Sequence, residues 1–431
     1  MRNSRLAAVG RLALGIVGLT LMAFGCGPRD AGEQAPARTA ERPAHRLTGF
    51  ATIAAATFLD GPTSGQFIEG TNGVAAPFLN QQPLQGISSA VLLSPGVFLA
   101  VSDNGYGAPE NSADYLLRTY ELTVQFDAEG NGTVEQTGGF VLSDPDRLLG
   151  FELVADGEFL PGSVIPTPAV IRESGLLTGA DLDIESIQPA VDGGWWFGDE
   201  LGPFLIRTDA GGRVVAPPVQ FPGIVSPQNP FLGQDEPTVG RSAGFEPLAI
   251  GPGGALLAML EKPLLDSSAA DAHQRELPLF AVDPTTGELS SAAVGPKKYQ
   301  LEAEAIGATD LTPVADDVYL VIERDDGDGP TAEFKRIYAV DFGQLDGNGF
   351  PHKRLLVDLL DIPDPDGVGG MGQSFSFPFQ TPETVVVVDE HTIVLICDNN
   401  FPFGNARAED RPDPTEWIRI RFDRPIAQAA R

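Results

Sequence analysis

Acidic side chains in this 431-residue sequence fall at matched places, just before and just after short apolar runs. Asp181, Asp183 and Glu185 lead into one run, and Trp195-Trp196-Phe197 then ends in Asp199-Glu200. Glu246 precedes a run that closes at Glu261-Lys262. Glu302 and Glu304 precede one that closes at Glu323-Arg324, and Glu383 precedes one that closes at Asp398-Asn399. Gly86 opens a comparable unit that ends at Asp103-Asn104. Carboxylates gathered at one place resist ionisation unless something positive joins them. A set of hard oxygen donors suits Ca²⁺, with Mg²⁺ as the alternative. Asp103, Glu185, Asp199, Glu304, Glu383 and Asp398 are therefore candidate metal ligands, with Asp183 and Glu323 among the converging acids. Glu200 and Glu246 are candidate general bases toward a water activated by such an ion. Arg241, Lys262 and Arg324 stand beside these acids. They could hold an anionic substrate oxygen or simply pair with their neighbours. Any one acid taken alone also reads as a turn residue capping a strand end.

Strands must position these residues. Aromatic and β-branched residues between glycine turns favour strand over helix. The stretch from Asp181 to Val215 reads as three strands with turns at Gly193-Gly194 and Asp209 to Gly212. A third-strand motif recurs at Leu116 to Arg118, Leu205 to Arg207, Leu279 to Asp283, Arg336 to Asp341 and Trp417 to Arg419. From the leading residue to the closing acid the five units span 17, 14, 15, 19 and 15 residues (86 to 103, 185 to 199, 246 to 261, 304 to 323, 383 to 398). Such self-similarity predicts an all-β chain, a single β-propeller of six blades with five or seven as alternatives. A strand near Thr48 to Phe58 would complete a blade with the C-terminal strand Glu416 to Asp423, removing free sheet edges. Residues 140–172 resist assignment.

The motifs DIESIQP, GGWWFGDELGPFLIRTDAGG, GFEPLAI, EAIGAT, LVIERDDGDG and KRIYAVD, in that order, resemble the phytase-like family of bacterial secreted proteins ("esterase-like activity of phytase"). The resemblance covers roughly Leu47 to Asp423. It implies a β-propeller and a hydrolase. The family's name rests on analogy to calcium-dependent propeller phytases, so it speaks more to fold than to substrate.

Composition narrows the function further. Gly 50 and Pro 37 together make 87 of 431 residues, which signals many turns and few long helices. A net charge of −31 argues against nucleic-acid binding, because the phosphate backbone requires a basic face; it suits cation binding or solubility. At the N-terminus, Arg2, Arg5 and Arg11 precede an apolar run from Leu12 to Phe24, too short for a comfortable membrane span. Ala23-Phe24-Gly25-Cys26 resembles a bacterial lipoprotein box, with Cys26 as the lipidation site and ordinary secretion as the alternative. Residues 1–26 thus read as a signal peptide, 27–46 as a flexible tether, 47–424 as the propeller and 425–431 as a tail. With Cys26 used or removed, Cys397 has no disulfide partner and reads as a buried, inert thiol.

Three motifs carry less than their patterns suggest. Gly240-Arg241-Ser242-Ala243-Gly244 matches G-x-S-x-G, but a proline-rich loop precedes it and a strand follows it, and no triad histidine can be assigned. The aspartate-rich stretches at 325–328, 346–348 and 361–367 do not complete a calcium loop and read as turns. Trp195 and Trp196 read as blade core. The sequence thus points to an extracytoplasmic metal-assisted hydrolase of phosphate or carboxylic esters. It would be monomeric and lipid-anchored, or else periplasmic or secreted, with Ca²⁺ and no organic cofactor. Its partner would be a small-molecule ester or phosphoester, with no nucleic acid and membrane contact only through the anchor. The alternative is a non-catalytic propeller that binds a protein or glycan at the channel mouth, and a redox or lactonase-like propeller is a third reading.

Overall fold

The computed structural model describes residues 44–127, 129–265, 275–289 and 297–429. The reading of Cys26 and of the leader and tether up to residue 43 falls outside the described residues. Among the described residues the chain is all-β with two short α-helices, Ala169–Ser174 and Ile426–Ala429. None of the described helices is long and apolar enough to cross a membrane.

Four-stranded antiparallel groups form the body. The first unit is Ser89–Ser94, Val97–Val101, Thr119–Gln125 and Gly132–Gly138. The second is Ile184–Pro189, Trp195–Asp199, Phe204–Thr208 and Val219–Gln220. The third is Phe245–Ile250, Leu256–Leu260, Glu276–Val282 and Lys297–Gln300. The fourth is Gly307–Ala315, Val318–Arg324, Lys335–Leu345 and Pro351–Asp358. The fifth is Pro382–Asp389, Thr392–Cys397, Thr415–Phe422 and, from the other end of the chain, His45–Ile53. That closure is the one expected from the sequence, but the strand ends at Ile53, and Phe58, expected within it, begins a separate strand that pairs with Gln81–Pro83. His45 pairs with Phe422 and Ile53 with Thr415, so the N-terminal strand covers what would be a free edge. A short parallel pairing of Ala51 with Gly132 links the fifth unit to the first as one eight-stranded sheet.

The first strands of successive units pack beside one another, and that of the fifth packs beside that of the first, so the ring is closed. The hydrophobic core follows this ring. One apolar cluster fills each junction between neighbouring units, as where Ile184 and Phe197 of the second meet Leu99 and Val101 of the first. The clusters between units two and three, three and four, four and five, and five and one repeat the pattern. Alternating strand faces supply this packing, because successive side chains point to opposite sides.

Several sequence readings are settled locally. Trp196 is buried at the second junction, with its indole N–H donating to the Pro284 carbonyl at 3.1 Å, and Trp195 packs on the first junction. Cys397 is a buried free thiol, its pKa pushed up by burial. The aspartate-rich stretches are turns whose carboxylates accept backbone N–H groups: Asp325 from Glu333 and Phe334, Asp346 from Asn348 and Phe350, Asp364 from Val368 and Gly369. Residues 140–172 carry turns, a single helical turn and the start of the helix at Ala169, which explains why neither period showed in the sequence.

Candidate functional site

At one end of the ring the five units open on a cavity of about 230 Å³. Its lining includes nine carboxylates (Asp103, Asp183, Glu185, Glu200, Glu246, Glu261, Asp326, Glu383, Asp398) and only two cations, Lys262 and Arg324.

Strand register explains the convergence. Ile184 pairs with Asp199, Phe245 with Leu260, Ala308 with Glu323 and Pro382 with Cys397. The register slips immediately after each pair, and such a bulge re-aims the side chain it carries. The next residues on the first strands are Glu185, Glu246, Thr309 and Glu383. On the second strands they are Glu200, Glu261, Arg324 and Asp398. Glu304, expected to match Glu185, lies upstream of the fourth unit's first strand and is exposed; Thr309 stands at the matching place. Close backbone approach requires glycine here. A Cβ on Gly244 would sit 2.4 Å from the Glu200 Cα, and one on Gly86 would sit 2.0 Å from Asp398 Oδ1.

The structure thus gathers Asp103, Glu185, Glu200, Glu246, Lys262, Arg324, Glu383 and Asp398 of the anticipated residues. Asp199 is buried, but its carboxylate accepts the backbone N–H of Asp183 at 2.9 Å and of Gly202 at 2.8 Å, and it lies outside the cavity lining. Glu323 binds the Tyr299 hydroxyl, the Glu302 N–H and Lys353 instead. Arg241 is exposed and pairs with Glu110 at 3.1 Å. Glu261 and Asp326 line the cavity without having been assigned to it from sequence, whereas Asp183, read there among the converging acids, does line it. Glu261 occupies the strand-end place of Glu200 and Asp398. Asp183 sits one turn of the pleat before Glu185 and accepts both the backbone and side-chain N–H groups of Asn104, at 3.1 and 2.7 Å. Ser242, of the G-x-S-x-G motif, reaches the rim in a left-handed backbone conformation (φ 46°), followed by a strand and not a helix.

Electrostatics set the state of these acids. Burial, and then the charge of neighbours, pushes several pKa values well above the carboxylate range: Asp103 beside Asp398, Glu185 beside Asp183, Glu200 beside Glu261, Glu246 beside Glu383. Asp398 is raised to about 7, by burial first and Glu383 second. Glu246 faces Glu383, whose negative charge disfavours its own. Burial disfavours the charge on Arg324, yet Glu261, Glu246 and Glu383 together hold it more firmly protonated than usual.

Three trios of carboxylates place oxygens within 4.8 Å of one another: Asp103–Asp183–Glu185, Glu185–Glu246–Glu383 and Glu200–Glu246–Glu261. These buried acidic clusters could hold a metal ion. Among the described residues, Glu383 Oε2 in this set is buried without any protein hydrogen-bond partner. A carboxylate oxygen left so is costly unless a ligand completes it.

Comparison with known proteins places this geometry in a family. Residues 82–401 match the phytase-like family, "esterase-like activity of phytase", and the chain belongs to it. No curated protein matches the sequence. Among solved structures, the chain is similar to the PQQ-bound aldose sugar dehydrogenase of Streptomyces coelicolor, at 13% identity over 88% of this chain and 99% of that one, with a TM-score of 0.35. It is also similar to a thermostable family-43 glycoside hydrolase, at 9% identity over 79% and 93% of the two chains with a TM-score of 0.40. A luciferin-regenerating enzyme matches at 11% over 88% and 95%, with a TM-score of 0.36. At these values none of the three bears on the chemistry.

Proposed function

We propose that this protein is a metal-assisted ester hydrolase built on a five-bladed propeller, one blade for each four-stranded unit. The observation that carries the reading is the unpartnered Glu383 Oε2 inside a ring of carboxylates. The donor set is entirely oxygen, which favours Ca²⁺ over softer-ligand metals. Asp103, Asp183, Glu185, Glu246 and Glu383 would hold the ion. When bound, it would polarise the ester oxygen and make a nearby water more acidic.

The chain's own residues do the rest. Glu185 and Glu246 each belong to two trios, so they are ligands first. Glu200 belongs to one and is oriented by the Gly244 N–H at 3.0 Å, which suits it to accept the water's proton as general base. Arg324 and Lys262 hold Glu261 in place on the far wall. The leader and Cys26 support an extracytoplasmic, lipid-anchored location, and mass spectrometry of the mature N-terminus would decide between lipidation and plain cleavage.

Calorimetry with Ca²⁺ and turnover of aryl esters, each with and without chelator, test the reading. Glu383→Gln should weaken Ca²⁺ binding. Glu200→Gln should keep most of that binding and lose turnover by roughly a hundredfold or more, the scale of a general base. A wild-type chain that gains no stability from Ca²⁺, Mg²⁺ or Mn²⁺ and cleaves no ester would leave the non-catalytic propeller, binding a partner at this mouth, as the better reading.

A further inference from the structure

The charge arrangement of the cavity bears on which ester it takes, an inference that rests on the hydrolase reading for the word substrate. Both cations in the lining are already engaged. Arg324 is buried, with Nη2 at 2.5 Å from Glu261 Oε1 and Nη1 at 2.7 Å from Asp326 Oδ1. Lys262 Nζ lies 2.8 Å from Glu261 Oε2 and donates to the Ser242 carbonyl at 2.6 Å. A single carboxylate, Glu261, therefore holds both cations. Arg241 stands outside the lining, paired with Glu110.

Nine carboxylates less two cations leave seven negative charges when all are ionised (9 − 2 = 7). The two trios that share Glu185 could take a pair of divalent ions, which would still leave an excess of acid. Protons retained on some carboxyls reduce that excess but supply no free cation. A phosphomonoester would bring up to about two further negative charges into this enclosed space, where like charges repel far more strongly than in water. The cavity, at about 230 Å³, is also small for a ligand site. We infer that the cavity takes a small uncharged carboxylic ester and rejects phosphomonoesters and polyphosphates, because Glu261 withholds Arg324 and Lys262 from an incoming anion.

Phenyl acetate and phenyl phosphate share a leaving group and differ in charge, so they form the test pair, with Mg²⁺ or Ca²⁺ present. Phenol release by the full chain should favour the acetate in kcat/KM by roughly a hundredfold or more, and calorimetry should show no binding of phenyl phosphate at millimolar concentration. Glu261→Gln removes the one carboxylate that the two cations share, leaving Arg324 with Asp326 and Lys262 with the Ser242 carbonyl, and should tighten phenyl phosphate binding by about tenfold or more. Wild-type protein that binds or cleaves phenyl phosphate as well as the acetate overturns the inference, as does a folded Glu261→Gln chain with no gain. If that variant does not fold, the wild-type measurements decide alone. If neither ester is cleaved, the hydrolase reading falls, while phenyl phosphate binding to the wild type still decides whether the cavity rejects anions.

Discussion

Asp310 and Glu383 are buried acids on neighbouring first strands of the fourth and fifth units, and their surroundings differ in one respect that matters. Asp310 accepts the backbone N–H of Leu311 at 2.8 Å and of Val385 at 2.7 Å, and the Thr312 hydroxyl at 2.8 Å. Burial raises its pKa to about 7, but its oxygens are satisfied. Glu383 is as deeply buried, yet one oxygen has no partner and the carboxyl faces Glu246. Asp199, also raised to about 7 by burial, behaves like Asp310, with two backbone donors. Burial and a raised pKa therefore do not separate architecture from site in this molecule. Among these three acids, unmet hydrogen-bonding capacity does.

Removing each acid should expose the difference. Asp310→Ala strands two backbone N–H groups, while the Thr312 hydroxyl keeps the Val385 carbonyl at 2.7 Å, and at about 1–3 kcal/mol for each orphaned group the loss should reach at least about 2 kcal/mol. Part of that loss falls on the contact between the fourth and fifth units, since Val385 belongs to the fifth. Glu383→Gln removes one like charge from a crowded set, so without metal its stability should hold or rise. Its deficit should emerge only with Ca²⁺, where the wild type gains about 2.7 kcal/mol at a hundredfold excess over Kd and the variant gains less. Urea unfolding of both variants, with and without Ca²⁺, checks this. Equal losses in the metal-free state would erase the distinction.

Titration offers a subtler separation. Asp103, Glu185, Glu246 and Asp398 have folded-state pKa values above those of the unfolded chain, because burial and neighbouring acids disfavour their charge. The folded state thus binds more protons than the unfolded one between about pH 4 and the folded value, about 7 for Asp398. Their contribution is fully present below the unfolded pKa and is lost as pH rises through the folded one. Metal-free protein should accordingly melt lower at about pH 8 than at about pH 5, with each group contributing up to about 1.4 kcal/mol per pH unit. Ca²⁺ should oppose the trend, since protons and metal compete for the same oxygens and binding strengthens as pH rises. Metal-free stability that climbs steadily from pH 5 to pH 8 would mean these acids do not crowd one another.

The sequence carries much of this plan, because glycine turns and apolar runs repeat and acids mark the strand ends. Closure of the ring by the N-terminal strand was legible from the unpaired apolar stretch at each end of the chain. The sixth blade expected from the repeat does not appear among the described residues, where five four-stranded units already close the ring. The stretch between the first and second units, which resists assignment from sequence, is turn and short helix packed on the first junction. Site membership was harder to read. Asp199 and Glu200 are adjacent at a strand end, where successive side chains point to opposite sides, so Glu200 enters the cavity while Asp199 turns to backbone donors. Glu261 looked like a strand terminus with a lysine partner. Its grip on a distant arginine, Arg324, depends on two units meeting in space.

Glu304 tests this register with the smallest expected effect. In the sequence it precedes an apolar run as Glu185, Glu246 and Glu383 do, but it stands 19 residues before Glu323 (323 − 304). The bulge residues of the other units stand 14 before the partner of the preceding residue: Glu185 before Asp199, Glu246 before Leu260, Glu383 before Cys397. Counting 14 back from Glu323 gives Thr309, whose hydroxyl donates to the Pro382 carbonyl at 2.6 Å and so ties the fourth unit to the fifth. Glu304 itself is exposed before the strand begins. Glu304→Gln should therefore shift stability by less than about 0.5 kcal/mol, as surface substitutions do, and leave Ca²⁺ affinity unchanged. Calorimetric titration beside Glu383→Gln supplies the scale. If Glu304→Gln weakens Ca²⁺ binding as much as Glu383→Gln does, the fourth unit contributes a carboxylate after all. The assignment of Thr309 to the fourth unit's matching place would then have to be redrawn.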